Sequence, residues 1–285
     1  MTEKKMLVTG GSGFVGSRMK IPGAMGDWQV LCPSHSAMDI TDEQSVFAWF
    51  EANRPQAVVH SAAVSDIGEC EENPEKSYLV NVQGTLNIAR ACKAYGAKML
   101  FMSTDQVYSG CTGTEPVPED APLEPINLYA RHKLEAEAGM LAICPDACAL
   151  RLTWMFDMPV RYQVSKGLVT NCIRALMDSE KMRLCANDRR AMTYVREVVE
   201  NIPVMLSAPG GIYNYGSQTF GSTYDTFMET FDALGAGHRK EELLSSFMAD
   251  TPRNLLMDTR KAQAVGCKFS ETVDGVKRLL KEYPL

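Results

Sequence analysis

Apolar residues in this chain gather in short runs, each closed by small or turn-forming residues and followed by a stretch of helical length. Lys5-Met6-Leu7-Val8-Thr9 is the first, and segments 28–32, 56–61, 98–102 and 147–152 repeat the pattern. Short runs rich in Val, Leu and Met between turn signals read as buried strands. Met38-Asp39-Ile40 adds a brief third strand, and Thr41 is placed to cap a helix that begins at Asp42 and stops before Pro55. Pro74 opens a long helix to about Tyr95, and another runs from Tyr129 to about Leu141. Strands and helices alternating over short links predict an α/β chain built on a doubly wound parallel sheet.

Beyond Trp154 the regularity falls off. A helix over 167–177, a strand over 182–185, a helix over 195–206, a run at 211–214 and helices over 222–234 and 271–282 suggest a smaller mixed C-terminal lobe.

The first strand ends directly in Gly10-Gly11-Ser12-Gly13-Phe14-Val15-Gly16. Strand, glycine turn and helix start is the order in which a phosphate meets backbone N–H groups, with glycines for a tight turn, close approach to a pyrophosphate and close helix packing. Pro22, Gly23 and Gly26 predict that the helix after it is short or kinked. The sheet is therefore expected to be of the Rossmann type. Residues 1–155 with roughly 189–216 would form the dinucleotide-binding domain, and roughly 156–188 and 217–285 the substrate lobe. At the end of the second strand, Pro33-Ser34-His35-Ser36 contains no carboxylate to accept from a ribose 2′-hydroxyl. That leans the cofactor toward NADP while leaving NAD open. His35 is read as a solvated loop residue.

Candidate chemistry rests on Tyr129-Ala130-Arg131-His132-Lys133, a spacing that puts phenol and ammonium on one helix face. A neighbouring ammonium favours the phenolate, so the pair reads as an acid/base device with a lowered tyrosine pKa. Tyr162 and Lys166 form a second pair of the same spacing. Context favours Tyr129, which follows Ser103-Thr104-Asp105, a hydroxyl-bearing strand end where ligands bind in open α/β sheets. Ala62-Ala63, at another strand end, leaves room for a flat ligand.

Charge and cysteine usage narrow the classes. A net charge of −6 and a pI near 5.4 exclude a general nucleic-acid or anionic-membrane binder, which needs a concentrated positive field. Nine Cys without a Cys-x-x-Cys pair imply reduced, buried thiols and no metal site. With no apolar run long enough to span a bilayer, the expected location is cytoplasmic.

Together, the segments 9–16, 38–42, His60-Ser61-Ala62-Ala63, Asn81-Val82-Gln83-Gly84-Thr85, 103–108 and Tyr129-x-x-x-Lys133 resemble the extended short-chain dehydrogenase/reductase family. Within it the chain is most similar to the dTDP-4-dehydrorhamnose reductases, through Asp39-Ile40-Thr41-Asp42, Ser103-Thr104-Asp105, Arg151-Leu152-Thr153-Trp154 and the segment 252–259. The resemblance implies NAD(P)H-dependent reduction of a 4-keto group on a nucleotide-linked deoxysugar. It implies cofactor contacts at Gly10, Gly13, Phe14, Val15, Gly16, Asp39, Ile40, Ala62, Ala63, Tyr129 and Lys133. Thr104, Tyr129 and Lys133 take the catalytic places, and Ser65, Thr104, Asp105 and Trp154 the substrate-binding ones. The expected partner is a small nucleotide sugar, with a homodimer as the assembly in view.

The chain departs from those reductases at Ser65, at Ile67-Gly68 and at Thr251, all expected near the substrate. A sugar-nucleotide epimerase of the same family is the alternative, as is a binding subunit like the regulatory subunit of methionine adenosyltransferase. A dehydratase would need Asp-Glu where this chain has Asp105-Gln106. Arg189, Arg190 and Arg253 are read as solvated surface residues, with a diphosphate contact as the other option.

Overall fold

The computed structural model describes residues 4–158 and 167–283. Strands β1 (Lys4–Thr9), β2 (Trp28–Leu31), β3 (Ala57–His60), β4 (Lys98–Thr104) and β5 (Cys148–Leu152) form at the apolar runs. They join a later strand, Gly211–Tyr215, in one all-parallel sheet ordered β2, β1, β3, β4, β5 and then that strand. Alternate residues serve opposite faces. Met6 and Val8 pack on one side with Val15, Val195 and Val198, whereas Leu7 packs on the other with Phe50, Ile88 and Met140. A strand covered on both faces has no polar side, which is why these runs are continuously apolar.

Helix α1 (Phe14–Met19) is short, as Pro22 and the glycines after it predict, and Gly23 and Gly26 both take positive φ. Helix α2 (Glu43–Asn53) is capped by Asp42, which accepts from the Gln44 N–H, and not by Thr41. The Thr41 hydroxyl donates instead to Asp39 Oδ1 at 2.7 Å. This also removes the expected strand at Met38-Asp39-Ile40. The Thr41 N–H bonds the Asp39 carboxylate, the Asp39 N–H bonds Ser45 Oγ, and the Asp42 N–H bonds the Asp39 carbonyl, so local partners consume groups that a ladder would need. Met38 and Ile40 are buried, which explains their apolar alternation, but they plug the core beside Val46 and Val58 from a turn.

After α3 (Ile67–Glu72), the expected helix from Pro74 is interrupted. It consists of α4 (Pro74–Tyr78), a π-turn (Leu79–Gln83) and α5 (Gly84–Tyr95). In the widened turn the Thr85 hydroxyl donates to the Asn81 carbonyl at 2.7 Å, a side-chain bond that competes with the helical ladder. Helix α6 (Leu128–Ile143) follows, capped by the Asn127 side chain on the Ala130 N–H.

The C-terminal part contains β6 (Trp154–Phe156), α7 (Leu168–Asp178), β7 (Met182–Cys185), β8 (Met192–Tyr194), α8 (Val195–Glu200), α9 (Ile202–Leu206), β9 (Gly211–Tyr215), α10 (Thr223–Ala233), α11 (Lys240–Leu243), β10 (Leu244–Phe247), α12 (Arg260–Ala264) and α13 (Thr272–Glu282). The single helix expected over 195–206 is two. Asn201 lies between them, with its side chain on the Glu197 and Lys268 carbonyls, and Pro203 begins the second. Phe156, Leu168, Phe227, Phe231 and Leu279 build a separate core there, flanked by the parallel pairs β6–β8 and β7–β10.

One ion pair fastens α6 to the sheet. Glu137 and Arg151, each 1% exposed, meet at 2.7 Å, and Arg151 also donates to the Tyr108 hydroxyl at 2.7 Å and to the Glu119 carbonyl at 3.0 Å. Removing one partner of such a pair strands a buried charge, whereas removing both costs little. Arg151→Met is expected to lower stability by about 3–5 kcal/mol in urea unfolding, and the double variant Glu137→Gln/Arg151→Met to recover most of that loss.

Candidate active site

The strand order reverses between β1 and β3, and a cleft of about 1040 Å³ opens at the carboxyl ends of the strands. The backbones crowd at its floor. Gly10 has φ +67°, and a Cβ there would lie 2.8 Å from the Ala62 nitrogen; one at Gly16 would lie 2.5 Å from the Gly10 carbonyl. Only glycine serves at either position.

The crowding is fixed by a buried hydrogen-bonded chain. Thr9 Oγ1 accepts from the Ser61 and Ala62 N–H groups, both at 3.2 Å, so its own proton goes to His60 Nδ1 at 2.7 Å. His60 therefore carries its proton on Nε2 and donates to Thr85 Oγ1 at 3.1 Å, and Thr85 donates on to Asn81. Burial, with Lys133 adding to it, pushes the His60 pKa down to about 3, so the ring is neutral. Asn81 clasps the loop after β3 by accepting from the Val64 N–H and donating to the Val64 carbonyl, both at 2.9 Å. Sequence reasoning missed this role. A buried Asn in a helix interior is the signal that could have shown it.

Of the residues expected to contact a cofactor, Gly10, Gly13, Phe14, Val15, Ile40, Ala62, Ala63, Tyr129 and Lys133 line the cleft. Gly16 packs behind the turn, and Asp39 is turned to Thr41. Lys20, Ser34 and His35 line the far end, where no carboxylate stands among the lining residues near β2. A groove of about 1040 Å³, floored by glycines too tight for any Cβ and with no carboxylate among its lining residues near β2, fits NADP or NAD; the nearest acid there, Asp39, lies 3.6 Å from His35.

Ser65, Thr104, Asp105 and Trp154 line the cleft as well. Ile67 does too, while Thr251 does not. Thr104 ends β4 and caps the 3₁₀ turn Asp105–Tyr108 by accepting from the Gln106 N–H. Asp105, 1% exposed, is held in a fork by Arg190, with Nε to Oδ2 at 2.9 Å and Nη2 to Oδ1 at 3.1 Å. The same guanidinium lies 5.1 Å from the Trp154 ring centroid. Arg190 is thus a cleft residue and not solvated surface. Arg189 bonds the Phe220 carbonyl and Arg253 reaches Asp188 at 3.5 Å.

Tyr129 and Lys133 project from one face of α6 into the cleft, with Lys133 Nζ 6.0 Å from the Tyr129 ring centroid. The expected lowering of the tyrosine pKa is not found. Packing around the phenol raises it, the nearby Thr104 hydroxyl pulls it back, and Asp105 and Cys70 raise it further. Lys133 donates to the Met102 carbonyl at 2.7 Å, and burial lowers its pKa to about 7 against the opposing pull of Glu137. The reason for the miss is desolvation, which spacing does not reveal: a half-charged lysine tied to a carbonyl is a weak source of field. The Tyr162 and Lys166 pair lies outside the described residues.

The sequence profile of the RmlD substrate binding domain family matches residues 4–284. A dTDP-4-dehydrorhamnose reductase of Mycolicibacterium smegmatis is 29% identical over 82% of this chain and 70% of its own length. Among solved structures, dTDP-4-dehydrorhamnose reductase from Bacillus anthracis, in complex with NADP, superposes with a TM-score of 0.86 at 19% identity, covering 98% of this chain and 99% of that one. UDP-glucose 4-epimerase of Thermotoga maritima gives 0.80 at 21% identity, covering 98% of each chain.

His60 offers a test of the buried chain. Its native pKa lies below the ordinary value of 6.5, so the unfolded protein takes up a proton that the native state refuses. The stability this contributes is complete above about pH 6.5 and is lost as pH falls toward 3, amounting to about 3 kcal/mol by pH 4. Urea midpoints recorded from pH 7 to pH 4 should fall less steeply for His60→Gln than for the wild type.

Proposed function

We propose that this chain, which belongs to the RmlD substrate binding domain family, reduces a keto group of a nucleotide-linked sugar. The 4-keto group of a deoxyhexose is the favoured position. The observation that carries the reading is the convergence of Thr104, Tyr129 and Lys133 on one glycine-floored cleft.

When bound, the nicotinamide supplies the hydride. Tyr129 supplies the proton: its raised pKa keeps the phenol protonated at neutral pH, as a donor to a developing alkoxide must be. Thr104, whose hydroxyl lies near the phenol, supplies a second donor to the same oxygen. As the carbonyl carbon gains hydride, the carbonyl oxygen takes the Tyr129 proton, and the phenolate left behind is recharged from solvent. In its charged form Lys133 stabilises that phenolate, and it is assigned to hold the nicotinamide ribose. Roughly 156–188 and 217–285 are assigned to the substrate lobe, where Met192 and Tyr194 also join the cluster around Phe156 and Phe231, with Trp154 presenting an aromatic face to the sugar.

Gln106 argues against dehydration. It lines the cleft beside Asp105, bonding Oδ1 through Nε2 at 3.3 Å, and an amide cannot exchange the proton a dehydratase requires.

Tyr129→Phe should lower kcat for NAD(P)H oxidation with a dTDP-4-keto-6-deoxyhexose by roughly 10²–10⁴-fold while weakening NADPH binding far less. Retention of wild-type turnover would remove the assigned role. Arg190→Met releases the Asp105 carboxylate from its fork and leaves the Trp154 ring without its packed cation, so KM for the sugar nucleotide should rise while KM for the cofactor does not. Steady-state kinetics with each substrate varied in turn will separate the two.

A further inference from the structure

Glu137 continues the face of α6 that carries Tyr129 and Lys133, spaced four residues beyond the lysine. It belongs to no part of the chemistry above, yet it is 1% exposed and fully engaged. Ser103, the residue before Thr104, donates to its Oε1 at 2.5 Å; Arg151 donates from Nε to both oxygens at 3.1 and 3.2 Å and from Nη2 to Oε2 at 2.7 Å. A carboxylate gripped by β4 and β5 in this way has no freedom to turn toward solvent.

We propose that Glu137 is a positioning residue that keeps the Lys133 ammonium charged for the reaction, with Ser103 and Arg151 fixing where its charge lies. This rests on the reductase reading above. Lys133 is surrounded by little else that would hold a proton on it. From β3 the neutral His60 ring faces it, from β4 the Phe101 ring lies 4.4 Å from Nζ and the Met102 carbonyl accepts its bond, and from α3 comes the Cys70 thiol. On its own helix the partners are Tyr129 and Glu137. Glu137 is the only carboxylate in this set, and its pull opposes the burial that drives the Lys133 pKa down. Arg151 partly neutralises that pull, so the lysine titrates within the working range of pH and is not locked on.

The sign follows. Removing the Glu137 charge lowers the Lys133 pKa further, and whatever depends on the ammonium is lost at a lower pH. Because Glu137→Gln alone strands Arg151, the test uses Glu137→Gln/Arg151→Met, checked for folding by urea unfolding. Two profiles are recorded: binding of NADH, which has no titrating 2′-phosphate, to the protein without sugar, and kcat/KM with NADH and the keto sugar nucleotide. The alkaline limb of both is expected to move to lower pH than in the wild type, by less than loss of the Glu137 charge alone would cause because the Arg151 charge leaves with it. Should the double variant not fold, Glu137→Asp is used instead; it keeps the charge but withdraws it by a methylene, and a smaller shift in the same direction is expected. A folded variant whose alkaline limbs overlay those of the wild type overturns the proposal. Failure of the wild type to reduce any keto sugar nucleotide would overturn the reductase reading instead, leaving the NADH binding profile as the measure of the Glu137 effect.

Discussion

The constraint that organises this molecule is the distance between two backbones. Where β1 ends and β3 ends, the chains at Gly10 and Ala62 come closer than any Cβ allows. Parallel strands diverge into helices on opposite faces from this point, so the crowding at the floor and the cleft above it are one feature. Every group assigned to the chemistry is placed by where its element leaves that floor: Thr104 from the end of β4, Tyr129 and Lys133 from α6, Trp154 from just past β5.

Two buried polar assemblies keep the arrangement from relaxing, and they work in different ways. The chain Thr9–His60–Thr85–Asn81 is neutral, directional and fully satisfied, so it sets one geometry with little electrostatic cost. The Glu137–Arg151 pair is charged, and its worth lies mainly in the penalty for losing one partner. Lys133 feels both, since its charge weighs on His60 in the first and is drawn by Glu137 in the second. Its titration near neutrality is a product of both surroundings.

Much of the fold was legible because buried parallel strands must be apolar on both faces, and few other segments are. The failures share a cause. Met38 and Ile40 alternate like a strand because they are buried, but burial does not require a ladder when Asp39, Thr41 and Ser45 satisfy the backbone locally. The helix from Pro74 shows no break in composition, since a π-turn costs one carbonyl partner and changes no residue type. In the site, Tyr129, Lys133 and Thr104 were found by spacing and by position at a strand end. Arg190 was not, because it meets Asp105 from 85 residues away and nothing local marks it. Arg151 and Glu137 did leave a trace: an arginine between Leu150 and Leu152 in a buried strand must find an anion, and Glu137 stands on the face of the helix already singled out.

The π-turn at Leu79–Gln83 bears on how this chain can change. A π-turn amounts to one residue inserted into an α-helix, and each residue of α-helix turns the chain by about 100°. The extra residue lets Asn81 face the loop after β3, with Ser77 against His132 of α6, while Ile88, Ala91 and Cys92 of α5 still face the sheet. Losing any one residue there would restore an unbroken helix and rotate one of those two sets away from its partners. The segment is therefore open to substitution in kind but closed to changes in length, a restriction on insertions and deletions that lies inside a helix and not, as is usual, at the end of one.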